Sequence, residues 1–303
     1  MTQTTRAAAA APAARTRTLG VRNRRRIGLA LKLLVVLVAV VWALFPVAYV
    51  ISAALNPANT LVGLGFFPEQ VTLDNFTRLF NSPNAPWPRW ILNSVIVASA
   101  TAVITTALTA LAAYAFSRLR FRFRRQGLLA LVIVQLFPNM LAFVALFLLL
   151  QAVGNVVPLI GLNSLGGLIL IYSGGALGFN TWLMKGYFDT LPFDLDESAK
   201  VDGATDLQAF WYIILPLVRP ILAVIGILTF IGAYSDFLLA RVILSSTENY
   251  TLAVGMTLFF REYQLEWGTF AAAALIGALP IVVVFLVLQR QLVGGLAQGG
   301  VKG

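Results

Sequence analysis

Asp194, Asp196, Glu197, Lys200 and Asp202 fall within nine residues of a 303-residue chain that holds only 12 Asp and Glu in all. Carboxylates this close to each other and to a lysine could bind a cation, relay protons or grip a basic partner. Composition narrows the choice. Cysteine and histidine are both absent, which excludes disulfides, thiolate or imidazole metal sites and histidine acid–base catalysis. A carboxylate-only metal site stays open, although most acids sit in loops. No Gly-x-x-x-x-Gly-Lys-Ser/Thr phosphate loop occurs, so any ATP must be hydrolysed by another chain.

The spacing of this polar island favours helix ends. Asp194 followed by Glu197 reads as a capping box, and Thr205 followed by Gln208 repeats it. Gly203 falls between the two short helices, where a left-handed backbone costs least, and Pro216 is expected to end the second. Neither helix suits a bilayer, because each charge at mid-membrane costs roughly 2.5–3.5 kcal/mol on insertion scales. Leu207, Phe210, Trp211 and Ile214 make an apolar stripe at i, i+3, i+4, i+7. One helix can therefore pack on a bundle while the other presents charge to water.

The surrounding elements read as membrane. Of all residues 59% are apolar and 11% charged, with a mean hydropathy of +0.85, where a soluble domain is nearer a quarter charged. Crossing about 30 Å of hydrocarbon takes roughly 20 helical residues. Six runs qualify, over 27–55, 91–117, 127–151, 165–184, 219–241 and 269–289. The fourth carries Gly174, Gly175 and Gly178, which weaken its helix propensity yet allow close backbone approach. Residues 1–26, rich in Ala, Thr and Arg, read as a disordered basic tail. The first run is too long for the ~7–15 apolar residues of a cleaved signal peptide. The expected fold is an all-α membrane protein of six transmembrane helices with a cytoplasmic helix pair.

The formal charge of +10 sits at the ends of apolar runs, not along one soluble face, which argues against nucleic acid. With the N-terminus inside, 18 of the 22 Lys and Arg fall on the inner side, and only Arg78, Arg89, Arg241 and Arg261 outside. The positive-inside rule then places both termini and the polar island in the cytoplasm. Outer residues 56–89 are too proline-rich for a long helix. The loop 242–268 is longer than a connection needs, and its Tyr250, Phe259, Phe260, Tyr263 and Trp267 argue against plain disorder. Gln135, Asn139, Asn180 and Asp236, inside the spans, either line a path or bond between helices.

The run Glu197-x-Ala199, Asp202-Gly203-Ala204, Phe210, Ile213-x-Leu215-Pro216, with Pro220 beyond, resembles the EAA loop of membrane subunits in binding-protein-dependent ABC importers. Ser198 stands where the family usually has alanine. The resemblance implies that residues 189–218 form a coupling loop docked in a cleft of a cytoplasmic ATPase subunit. Glu197 would meet a positive group there, and Gly203 would allow the turn between coupling helices. ATP-driven closure of the ATPase dimer would then tilt the membrane helices.

From about residue 90 onward the chain is similar to the smaller permeases of maltose/maltodextrin importers, the MalG type. Phe137-Pro138, Lys185-Gly186-Tyr187-Phe188, Tyr250-Thr251-Leu252-Ala253-Val254-Gly255-Met256, Phe270-Ala271-Ala272-Ala273 and the ending Gly299-Gly300-Val301-Lys302-Gly303 carry this likeness. It implies a multi-pass subunit of a prokaryotic inner or plasma membrane. Its partners would be a second, larger permease, a cytoplasmic ATPase dimer and an extracytoplasmic sugar-binding protein. No cofactor would be bound by this chain, with ATP and Mg held by the ATPase subunits. The C-terminal tail (291–303), through Gly299 to Gly303, would reach between the ATPases. The last outer loop, with Tyr250, Thr251, Tyr263 and Trp267, would enter the binding protein. In such importers the sugar site lies mainly in the larger permease, so no sugar ligand is assigned here. Two other readings compete: another sugar such as trehalose, or an ion-coupled secondary transporter, for which only Asp236 is near the required place. An intramembrane enzyme would need Ser/Lys or paired-Asp chemistry that the spans do not pair up.

Overall fold

The computed structural model describes residues 21–58, 65, 68, 70–82, 85–261 and 264–299. Of the expected sites, Tyr263 and Gly300 to Gly303 lie outside these residues. Two compact units are distinguished, one ending at Tyr49 and the other beginning at Val50.

Helix α1 (Val21–Leu55) comprises the described residues of the first unit and continues into the sequence of the second. It starts six residues before the expected Ile27, within the stretch read as tail. Arginine is a good helix former, so Arg22 to Arg26 prolong the helix. From Ile27 to Val47 its side chains are exposed and largely apolar.

In the second unit, α2 (Asp74–Phe80) precedes α3 (Trp87–Arg118). The third expected span is broken into α4 (Arg124–Val134) and α5 (Asn139–Gly154). Pro138 explains the break, since its ring disfavours helix in the residue before it. Then come α6 (Leu165–Phe188), α7 (Asp194–Val201), α8 (Asp206–Ala209), a wide five-residue turn over Phe210–Ile214, and α9 (Leu215–Leu217). After a 78° bend follow α10 (Arg219–Ser235), α11 (Leu238–Ile243), α12 (Leu252–Gly255) and α13 (Trp267–Gly299). A two-stranded ladder pairs β1 (Phe260–Arg261) with β2 (Gln264–Leu265). Among the described residues, four single helices are long and apolar enough to cross a membrane, and the bent pair 206–235 makes a fifth if it is counted as one span.

Helix α3 is the spine. It packs along α6 and α10, and α10 packs on α13. Ala98, Ala102, Ala110 and Ala113 are buried on α3, and small residues let helices approach without a hydrophobic drive. Gly178 illustrates this on α6: a Cβ there would lie 2.5 Å from the Leu131 carbonyl oxygen. The Gln135 amide bonds the Gly175 carbonyl at 2.7 Å, satisfying a polar group between helices.

At the N-terminal end of α3, Trp87 and Trp90 enter one buried core. There α3 also holds the long loop after α11. Trp90 Nε1 donates to the Thr247 carbonyl at 2.7 Å. Asn93 Nδ2 donates to the carbonyls of Glu248 and Tyr250, each at 2.9 Å. The Leu252 N–H donates to Ser94 Oγ at 2.7 Å. A second core at the C-terminal end of α3 joins Tyr114, Met184, Phe188, Phe210, Ile214 and Ile225. It supports the polar island.

Candidate functional site

Local rules shape much of residues 189–218. Pro192 leads into helix, and Phe193 is already helical at φ −65°, ψ −27°. The Phe193 carbonyl accepts the N–H groups of Asp196 (3.0 Å) and Glu197 (3.2 Å). Asp194 is thus the first helical residue, not a cap, and the capping box expected there does not form. The second box does: Thr205 Oγ accepts from the Gln208 N–H at 3.3 Å, and Gln208 Oε1 accepts from the Thr205 N–H at 2.8 Å. Gly203 joins the helices at φ +84°, as its type requires.

Pro216 does not end the second helix. The chain opens into a wide turn, with the Leu215 N–H on the Phe210 carbonyl. Such turns relieve the clash of a proline ring with the carbonyl four residues back. The break falls instead at Val218 (φ −93°, ψ 6°), before Arg219 and Pro220. The apolar stripe also divides. Phe210 and Ile214 are fully buried, while Leu207 and Trp211 are 60% and 52% exposed.

Burial separates the island into an inner and an outer face. Ala199 and Asp196 are buried, and Ala204, Leu215 and Pro216 partly so. Glu197, Ser198, Asp202 and Gly203 are exposed. Val201 and Tyr212 are 87% and 79% exposed. Thr205, Leu207, Gln208, Trp211 and Tyr212 line a groove of 430 Å³. An acid set among exposed aromatic and aliphatic side chains is suited to docking rather than catalysis.

The inner face is anchored by a charge pair that sequence reading missed. Arg118 Nε lies 3.0 Å from Asp196 Oδ2, with the side chains only 3% and 8% exposed. The contact is an ion pair more than an aligned hydrogen bond. Arg118 Nη2 donates to the Leu191 carbonyl at 2.9 Å, and the guanidinium sits 4.2 Å from the centre of the Phe193 ring. Tyr114, one turn earlier, donates to Asp196 Oδ1 (3.3 Å) or the Asp206 carbonyl (3.1 Å), spanning α7 and α8. Its ring packs on Phe210 with centroids 5.0 Å apart. In the sequence Arg118 is only one of the 18 Lys and Arg on the inner side. A Tyr and an Arg four residues apart at a helix end share one face, which was the available signal.

Two further pairs fix the borders. Asp189 Oδ1 accepts from Ser117 Oγ at 2.7 Å, and its other oxygen pairs with Lys185. Burial pushes the Asp189 pKa up, but hydrogen bonds from Lys185 and Ser117 and the charges of Lys185 and Arg124 outweigh it, leaving it below the usual carboxylate value. Lys200 pairs with Asp206 at 2.7 Å, and that hydrogen bond and charge raise its pKa. Arg124 caps α3, donating to the carbonyls of Phe116 (2.6 Å) and Ser117 (2.9 Å).

The other expected sites lie elsewhere. Tyr250 and Thr251 are 7% and 1% exposed. The Tyr250 carbonyl accepts from Asn93 Nδ2 of α3 at 2.9 Å. Trp267 is half-buried. Gly299 is the last residue of α13, so the helix runs through most of the expected tail. Among the described residues, no group of three or more acids could hold a metal.

Residues 105–297 match a family model described as a binding-protein-dependent transport system inner membrane component. The maltose/maltodextrin transport system permease protein MalG of Vibrio vulnificus (strain YJ016) is 43% identical over 271 residues, covering 86% of this chain and 91% of that protein. Its counterpart from Escherichia coli (strain K12) is 41% identical over 281 residues, covering 89% and 94%. A crystal structure of a bacterial ABC transporter involved in the import of the acidic polysaccharide alginate aligns with a TM-score of 0.72. The alignment covers 90% of this chain and 99% of that one at 24% identity, and shows a shared fold.

Proposed function

The chain belongs to the binding-protein-dependent transport system inner membrane components, and we propose that it is a permease subunit of an ATP-driven importer of maltose and maltodextrins. The observation that carries this reading is identity above 40% to permeases of that name over nearly their whole length. Six spans follow if α1, α3, α4 with α5, α6, α10 and α13 each cross once. The polar island meets the C-terminal end of α3 through Arg118 and Asp196. It therefore shares a side with Arg120, Arg122, Arg124 and Arg125, which favours the cytoplasm.

In this reading the exposed Glu197 and its apolar neighbours enter a cleft on a separate ATPase subunit. The buried face passes that subunit's motion to α3 through Asp196, Tyr114 and Phe210. ATP and Mg are bound by the ATPase dimer, and this chain is not catalytic. A second permease completes the path, and an extracytoplasmic sugar-binding protein delivers the substrate to the loop after α11. The likeness of the ending Gly299-Gly300-Val301-Lys302-Gly303 to the tail of such permeases supports a role for it in contacting the ATPases.

Reconstitution tests this reading. The chain in lipid should hydrolyse no ATP alone. With a second permease, the ATPase and the binding protein it should import maltose with ATP consumption. ATP turnover by the isolated chain, or import without an ATPase, would overturn it. Uptake of trehalose in place of maltose would correct the substrate alone.

A further inference from the structure

We propose that the joint between α3 and α4 docks anionic phospholipid headgroups of the inner leaflet, through Arg120, Arg122 and Arg125 with Phe121 and Phe123. The proposal rests on the six-span permease reading above and goes beyond it. Residues 118–125 hold five arginines and no acid. Two are occupied within the chain: Arg118 by Asp196 and the Leu191 carbonyl, and Arg124 by the carbonyls of Phe116 and Ser117. Arg120, Arg122 and Arg125 are exposed and make no hydrogen bond or ion pair among the described residues. Like charges this close repel one another, and an anion beside them lowers that cost.

Depth points to lipid as the source of that anion. Helix α3 ends at Arg118 and α4 begins at Arg124. The residues between them, 119–123, reach at most about 18 Å when extended, and both helices enter the membrane in the six-span reading. The apolar run resumes at Leu128, within one turn of Arg125. The arginines are thus held at the level of the headgroups, which fill roughly 5–8 Å on each side of the hydrocarbon. Leu129 and Ile133 lie on one face of α4 and are exposed. Acyl chains can lie along that face while their phosphates meet the guanidinium groups, whose fork matches phosphate oxygens.

The backbone supplies an independent observation. Phe123 adopts φ +65°, ψ 17°, a left-handed conformation in which a bulky residue is an outlier. A glycine would hold it at less cost. The ring gains little burial in return, being 60% exposed, and the Arg122 guanidinium lies 4.8 Å from its centre. Strain of this kind persists where the side chain is used. Phe121, also exposed, packs on Phe116 with ring centroids 5.4 Å apart. Aromatic rings alternating with arginines suit the boundary between water and hydrocarbon. An acidic protein surface would answer the arginines, but not the exposed apolar face of α4 that continues from them. Headgroups held here would fix the depth of the end of α3, and with it the Arg118–Asp196 anchor.

The test uses the full chain with a bimane on Gln126→Cys, an exposed position in the first turn of α4. In phosphatidylcholine vesicles, its fluorescence is quenched with nitroxide-labelled phosphatidylglycerol or, for comparison, nitroxide-labelled phosphatidylcholine. Phosphatidylglycerol should quench at lower concentration. The triple variant Arg120→Gln, Arg122→Gln, Arg125→Gln should cut that preference at least about 5-fold, the worth of one arginine near an anionic headgroup. Phe123→Gly should also lower the preference, yet leave the unfolding temperature unchanged or higher, since it removes the strained backbone. Equal quenching by the two lipids before any arginine is changed would overturn the proposal, as would a preference that survives the triple variant. So would a Phe123→Gly chain that unfolds at lower temperature with its preference intact, which would make the ring a structural element. Release of the ATPase from the assembled transporter by the triple variant, with quenching unchanged, would assign the arginines to a protein surface instead. Both leaflets of the vesicles carry the same lipid, so the ratio depends on neither sidedness nor sugar. Loss of the preference with maltose import intact defeats this proposal alone, whereas failed import by the wild-type assembly defeats the permease reading.

Discussion

Arg118 and Asp196, 78 positions apart in the chain, meet at 3.0 Å in an almost fully buried ion pair that fastens the polar island to the end of α3. The pair converts two short, charged helices into a rigid extension of a membrane helix. Force applied to their outer face then has a packed route inward through Tyr114 and Phe210.

Removing one partner should be worse than removing both. Arg118→Ala leaves a buried carboxylate unpaired, at a cost of roughly 3–5 kcal/mol, while an apolar pair of similar volume is often neutral. Thermal unfolding of the assembled transporter should therefore show a large loss for Arg118→Ala and for Asp196→Leu. Much of it should return in the double variant Arg118→Met with Asp196→Leu. A double variant no better than the singles would show that the charges themselves are required.

Gly203 adopts φ +84°, and a Cβ placed there would meet nothing within 4 Å. The penalty for a side chain is then one of backbone alone, about 1–2 kcal/mol for a left-handed L-residue. Gly203→Val should lower the unfolding temperature and weaken retention of the ATPase in pull-downs. Gly203→Asn, which tolerates that region better, should do so less. Equal loss in both would point to a steric demand that the open space around Gly203 contradicts.

What was readable in advance follows from chain distance. Gly203 and the Thr205–Gln208 box are local, set by residues three or four apart, and both form. Asp194 failed as a cap because Pro192 and Phe193 start the helix one residue early. Pro216 failed as a terminator because a wide turn accommodates its ring. The break at Pro138 is likewise a local proline effect, hidden by hydropathy that runs unbroken through it. The spacing of Tyr114 and Arg118 marks a shared face, but the pairing of Arg118 with Asp196, and of Trp90 and Asn93 with the distant loop, depends on tertiary contacts whose partners no local spacing names.

The loop after α11 depends on a close fit at Gly255. A Cβ there would lie 2.2 Å from the Trp90 ring, which itself holds the Thr247 carbonyl. Gly255→Val should displace the loop, raising its protease sensitivity and cutting uptake driven by the binding protein, while ATPase retention stays intact. Trp90→Ala in the same background should relieve part of the clash. Loss of the ATPase from Gly255→Val membranes would contradict this separation of the two ends.

Asp189 gives a pH signature. Its folded pKa lies below the ordinary value, so its contribution is fully present above the unfolded pKa and is lost as pH falls through the folded one. Asp189→Asn should lower stability at pH 7 and flatten the acid limb of the wild-type stability profile below about pH 4. An acid limb identical in the variant would assign that titration to other carboxylates.

The most direct measurement exploits the absence of cysteine from the chain. A single thiol at Glu197→Cys, in right-side-out and inverted membrane vesicles, reports both the side of the polar island and its cover. A membrane-impermeant maleimide should label it only in inverted vesicles, and labelling should fall sharply when the ATPase subunits are bound. Labelling from the outer face, or labelling indifferent to the ATPase, would contradict the docking role on which the account rests.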